Sequence, residues 1–202
     1  IICTAHARLL PALLAAAPPT ARLVCLGSTR KLTRWPDAHG NGVLAGERAL
    51  LESGRPGVLL HPRMIYGARG ENNVQRLAAL LRYRPVVPLP AGGTALVQPI
   101  YQDDVTACIL AALRAPWHGP QAIIIAGAEA VPYWRFTQMV AQAAGLKPRP
   151  VLSLPAGFLR LAARATPYPP FPPPIRPDAL RRLSDAKAFD TTPLPTLLGG
   201  SP

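Results

Sequence analysis

The amino-acid sequence predicts an α/β fold built on a parallel sheet covered by helices on both faces. Three observations carry this. The runs "IICTA", "ARLVCLGST", "PGVLLHPRMIYG" and "QAIIIAG" are apolar almost throughout instead of alternating, the pattern of strands buried on both sides. Longer segments with helical spacing lie between the first of them. Strands that alternate with helices join most simply as parallel crossovers.

Each element follows from local chemistry. "IICTA" is a short buried strand, and "HARLLPALLAAAP" is a helix interrupted or begun at Pro11, since proline fits only the first turn. Residues 6–21 have the outline of an export signal, with Arg8 ahead of an apolar core and small residues behind it. Their position directly after a strand favours a buried helix. "ARLVCLGST" is a second strand, and "NGVLAGERALLESG" is a helix closed by Gly54, where a positive φ is needed. "PGVLLHPRMIYG" is a third strand.

After Gly70 the texture changes. "ENNVQRLAALLRYR" is an amphipathic helix and "PVVPLPAGG" a strand with a turn. "ALVQPIYQDDV" runs into the helix "VTACILAALRAP", with Asp103 and Asp104 placed to cap its free N–H groups and oppose its dipole. "QAIIIAG" adds a strand, and "PYWRFTQMVAQAAG" and "LPAGFLRLAARA" read as helices. "TPYPPFPPPIRP" is an extended polyproline-type crossing loop, because proline removes backbone donors. "LRRLSDAKAFD" is a final short helix. The expected division is a sheet domain of residues 1–69 and 97–127 and a smaller lobe of residues 70–96 and 128–202.

Composition narrows the function classes. A hydrophobic fraction of 49% describes a globular chain, and no apolar run is long enough for a transmembrane segment. The net charge of +12 raises the reading of a basic nucleic-acid-binding module. Its make-up argues against that reading: Arg outnumbers Lys 19 to 3, and the arginines are scattered rather than gathered into a basic run. Cys3, Cys25 and Cys108 sit singly in apolar segments, as buried thiols of a reducing, cytoplasmic compartment do. The four histidines lack metal-ligand spacing, so no metal site is expected. The chain opens on Ile1 rather than Met, which suggests a fragment or a processed chain.

Taken in order, "LVCLGST", a helix with "GERALLESG", "GVLLHPRMIYG", "PLPAGGTALVQPIYQDDV" and "IIIAG" resemble the NAD-dependent epimerase/dehydratase family. These are the extended short-chain dehydrogenases/reductases, and the atypical NmrA-like branch is especially similar. The resemblance runs from the family's fourth strand to its C-terminus. It implies the C-terminal part of a Rossmann-like doubly wound sheet with a small α+β substrate lobe, and NAD or NADP as cofactor. The strand, glycine-rich turn and helix that hold a dinucleotide pyrophosphate do not occur in residues 1–202. "AGGTA" at 91–95 is no substitute, because it precedes no helix.

The resemblance also assigns residues. Ser28 and Thr29 match the position that hydrogen-bonds the reacting carbonyl or hydroxyl. The family's general acid/base Tyr falls on His39 here, and the Lys four residues on, which tunes the Tyr and binds the nicotinamide ribose, falls on Val43. No Tyr-x-x-x-Lys exists in the chain. His39 could still donate a proton near neutral pH, although the simpler reading is a surface loop residue. Pro62, Arg63 and Met64 match the segment that brings backbone groups to the nicotinamide, and Thr4, Ala5 and His6 lie where the cofactor ribose passes. Asn73, Gln98 and Arg176 match substrate positions; the plainer readings are a helix cap for Asn73 and a solvated charge for Arg176. His61 replaces a family Arg and reads equally as a satisfied core residue.

The expected function is therefore an NAD(P)-binding, catalytically weak or silent family member, with a dinucleotide and a small-molecule or nucleotide-linked substrate as partners. Atypical members bind NADP(H) without known turnover, and one is an accessory subunit of respiratory complex I, which makes a protein-complex partner part of the expectation. The alternative is an active oxidoreductase or nucleotide-sugar epimerase using an unusual acid/base. A hydrolase built from Ser28, His39 and Asp37 lacks the G-x-S-x-G elbow.

Overall fold

The computed structural model describes residues 1–67, 73–155 and 157–158. In chain order these form β1 (Ile2–Cys3), α1 (Leu10–Ala16), β2 (Leu23–Leu26), α2 (Ala38–Glu52), β3 (Gly57–Pro62), β4 (Ile65–Tyr66) and α3 (Asn73–Tyr83). Then come β5 (Val87–Pro90), β6 (Leu96–Val97), β7 (Ile100–Tyr101), α4 (Gln102–Arg114), β8 (Pro120–Ile125), β9 (Val131–Pro132), α5 (Tyr133–Ala143) and β10 (Val151–Leu154). Short 3-10 turns occupy Ala7–Leu9, Thr29–Leu32 and Ala91–Gly93. The described residues fall into two compact units: Ile1–Ile65 with Pro99–Ala128, and Tyr66–Gln98 with the residues from Glu129 onward.

The first unit is the α/β layer structure. Its sheet has the order β1-β2-β3-β8, and every pairing is parallel. Side chains alternate across a strand, and here each side meets its own helices. Val24, Val58, Leu60 and Ile125 face Val105, Cys108 and Ala112 of α4. Leu23, Cys25 and Leu59 face Leu10 of α1 and Val43 and Leu50 of α2. That double cover explains why these strands read as unbroken apolar runs.

Helix ends follow their local signals. Pro11 sits in the first turn of α1, so that helix begins there instead of breaking. Asp37 caps α2 by accepting from the Gly40 N–H at 2.7 Å. Gly54, at φ 64°, follows the helix end. Gly46 lets α2 come close to the Ala7 turn: a Cβ there would stand 2.6 Å from the Ala7 carbonyl carbon.

The second unit holds two small sheets. Within it β5 and β10 pair in parallel and β6 and β9 antiparallel, while Gly93, at φ 72°, turns beside Trp134 of α5.

Several expectations need correction. The first strand is only two residues long, and the third ends at Pro62 before a separate β4. His39 is not a loop residue but lies in the first turn of α2. Tyr101 is the N-cap of α4 and makes no side-chain capping bond; Asp103 and Asp104 lie inside the first turn, where they oppose the dipole by charge. The strand β10 has no counterpart among the expected elements. The body of "LPAGFLRLAARA", the proline-rich stretch and the final helix lie outside the described residues.

Candidate functional site

In parallel α/β sheets ligands bind beyond the carboxyl ends of the strands. In the first unit β1 leads into Thr4–His6, β2 into Gly27–Thr29, and β3 ends at Pro62 before Arg63 and Met64. The N-terminal turn of α2 brings His39 to the same segments through His6.

Ser28 caps the 3-10 turn that follows, its Oγ accepting from the Arg30 N–H at 3.2 Å. Thr29 is the first residue of that turn. The Ser28 N–H donates to His61 Nδ1 at 3.1 Å, which fixes that ring nitrogen as an acceptor. The ring's proton is then on Nε2, 2.7 Å from Glu47 Oε2. Lys31 donates to the same carboxylate oxygen, and its Nζ stands 3.2 Å from His61 Nε2 because both share that oxygen. His61 is fully buried. Burial first, and then the Lys31 charge, depress its pKa from 6.5 to about 4, so the ring is neutral. Gly27 makes room for it, since a Cβ there would come 2.6 Å from His61 Cε1.

His6 and His39 are brought together. His6 Nε2 lies 3.1 Å from His39 Nδ1, and the rings meet edge to face with centroids 4.3 Å apart. The Arg8 N–H donates to His6 Nδ1 at 3.1 Å, so neutral His6 carries its proton on Nε2 and donates to His39. His39 Nδ1 is thus an acceptor, and its Nε2 carries the proton. Asp37 is held elsewhere: its carboxylate accepts from the Gly40 N–H and from Arg30, including Arg30 Nε at 2.7 Å. The Gly40 N–H first, and then Arg30, hold that carboxyl below the usual range. These bonds do not build a Ser28–His39–Asp37 triad.

The remaining described residues of the assignment divide between the two units. Thr4 and Ala5 are exposed, and Pro62 is buried. The Arg63 N–H donates to the Ile125 carbonyl at 3.0 Å and the Met64 carbonyl accepts from Ile100 at 3.1 Å, so these two backbone groups serve the sheet side. Partial burial lowers the Arg63 pKa. Asn73 opens α3 and Gln98 is buried, both in the second unit. Arg176 lies outside the described residues. Val43 is 1% exposed, packed into the apolar cluster with Ala7, Leu10 and Leu50. Sequence reasoning missed Lys31 and Glu47, which stand in a 3-10 turn and in α2 with no motif that links them.

No protein-family description matches the chain, and no curated protein sequence does. Solved structures do. MoeE5 in complex with UDP-glucose and NAD is 23% identical, covers 73% of this chain and 56% of its own, and superposes with a TM-score of 0.55. UDP-glucuronic acid 4-epimerase from Bacillus cereus, in complex with UDP-glucuronic acid and NAD, is 18% identical over 97% of this chain and 60% of its own, with a TM-score of 0.64. The ADP-L-glycero-D-manno-heptose-6-epimerase of Helicobacter pylori is 18% identical over 67% of this chain and 50% of its own, with a TM-score of 0.53. The chain has the α/β fold of these structures. It spans between half and two thirds of their length. Among the described residues no helix is long and apolar enough to cross a membrane.

Proposed function

We propose that the protein is an NAD-binding member of the epimerase/dehydratase class whose hydride-transfer machinery is lost and whose role is binding. The observation that carries this is Val43. At the position where the family resemblance calls for the ribose-binding, Tyr-tuning Lys, the side chain is sealed in an apolar cluster against the Ala7–Leu10 segment. A tuned acid/base needs a neighbouring charge, and this slot offers none. His39, at the Tyr position, is tied to His6 instead. The nicotinamide end of NAD, met with a nucleotide-sugar in two of the neighbours, is assigned to Thr4–His6, Ser28, Thr29 and Pro62–Met64. A substrate of the same nucleotide-linked class is assigned to Asn73, Gln98 and Arg176, and the free thiols agree with a cytoplasmic setting.

The His6–His39 bond favours a second reading, in which His39 Nε2–H is a positioned acid in an active enzyme. One assay separates the two. NADH at millimolar concentration is added to the 202-residue chain and amide shifts are followed at Thr4, Ser28, His39 and Met64; turnover with UDP-sugars and simple carbonyls is followed by nicotinamide absorbance. Binding is expected to be weak, because residues 1–202 contain no glycine-rich pyrophosphate turn. The expected result is local shifts with equal background rates in wild type and His39→Ala. A wild-type rate abolished in His39→Ala establishes the second reading, and no shifts at any of these amides defeats both.

A further inference from the structure

Cys3 and Cys25 are directly paired positions of the parallel strands β1 and β2. Adjacent strands run about 4.8 Å apart, inside the Cα separation a disulfide spans. Both side chains lie on the sheet face that packs against α1 and α2: Cys25 is in that cluster and Cys3 is packed on it. The two thiols also interact with each other. Cys25 is buried and Cys3 half-buried, so Cys3 is the sulfur a small oxidant reaches first. Cys108, by contrast, lies in the cluster on the opposite face.

We propose that Cys3 and Cys25 are a dithiol–disulfide pair, oxidised by a peroxide to a bond that locks β1 to β2 beneath the Thr4–His6 and Gly27–Thr29 segments. The Cys3 thiolate attacks the peroxide O–O bond, giving a sulfenic acid and releasing hydroxide or water. The Cys25 sulfur then attacks the Cys3 sulfur and expels water. In sum two thiols and hydrogen peroxide give one disulfide and two waters, the sulfurs losing the two electrons the peroxide gains. Burial, and then Cys3, push the Cys25 thiol up to about 12, which leaves Cys3 as the entry point and makes the second step the slow one. The bond closes residues 4–24 into a loop and fastens a strand held by only two paired positions.

The test is to treat the reduced chain with hydrogen peroxide and follow intact mass, peptide mapping and thermal unfolding. Expected are the loss of two hydrogens, a mapped Cys3–Cys25 peptide, and a thermal midpoint raised by roughly 5–10 °C and reversed by dithiothreitol. Cys3→Ser and Cys25→Ala should abolish all three, and Cys108→Ala should leave them intact. If Cys25→Ala does not fold, Cys3→Ser decides, since Cys3 is at the cluster's edge. Any alkylatable thiol besides Cys108 after oxidation, Cys3 carried on to sulfinic acid, a link to Cys108 or between chains, or an unmoved midpoint would each overturn the proposal.

Discussion

Replacing Glu47 by alanine should destabilise the first unit substantially. One carboxylate oxygen holds both the Lys31 ammonium and the His61 Nε2–H, and the three side chains are 18%, 10% and 0% exposed respectively. Removing the acceptor leaves the buried His61 donor unsatisfied, worth about 1–3 kcal/mol. Stripping a partner from a buried charge costs about 3–5 kcal/mol, but Lys31 sits on a short turn and can swing toward water. The two contributions overlap, so the expected loss is about 3 kcal/mol, a thermal midpoint lower by roughly 6–12 °C for a chain of this size. Urea unfolding followed by circular dichroism on wild type, Glu47→Ala, Lys31→Ala and the double variant measures it. Lys31→Ala alone should cost less, since Glu47 keeps His61, and the cycle should show a coupling of about 1–3 kcal/mol. A Glu47→Ala loss under about 0.5 kcal/mol, the range of an exposed ion pair, would refute the reasoning.

The His61 ring adds a pH dependence. Its folded pKa of about 4 lies below the unfolded 6.5, so the neutral ring's contribution is fully present above pH 6.5 and is lost as pH falls toward 4. Denaturant midpoints between those pH values should fall in wild type and flatten in His61→Phe. Asp37→Ala removes the α2 cap and should cost about 1 kcal/mol by urea unfolding, with hydrogen exchange rising first at the Gly40 amide. Val43→Lys places an ammonium in the cluster of Ala7, Leu10 and Leu50, and should lower the thermal midpoint without creating turnover, alone or with His39→Tyr. Nicotinamide absorbance and calorimetry check the pair; a stable, active double variant would show that position 43 faces a cofactor.

The elements that could be read from the sequence are those whose cause is local. Continuous apolar runs mark β2 and β3 because helices cover both faces of the sheet. The end of α2 could be read at Gly54 and the start of α1 at Pro11, since backbone geometry alone decides both. β10 escaped because four residues between prolines, with Leu152 half exposed, show no periodicity. The site was less readable for a different reason. His6 and His39 were each singled out, for different roles, yet their hydrogen bond joins residues 33 positions apart. Lys31, Glu47 and His61 come from a 3-10 turn, a helix and a strand, and only the folded chain brings them onto one carboxylate oxygen.

These observations converge on one face of α2. His39, Gly42, Val43, Gly46 and Leu50 recur at helical spacing and turn toward the segment from His6 to Leu10. Gly46 sets how close that segment comes, because its missing Cβ lets the Ala7 carbonyl rest against the helix backbone. One turn earlier, a side chain at 43 therefore has no path to solvent, and valine fills the gap that a four-carbon ammonium stem would have to leave. Two turns earlier the helix begins and the face opens, so position 39 can carry a polar ring, which His6 then orients. A buried valine at 43 and an exposed polar ring at 39 are thus two consequences of one packing arrangement. Accommodating a lysine at 43 would require moving the Ala7–Leu9 turn as well as changing the side chain.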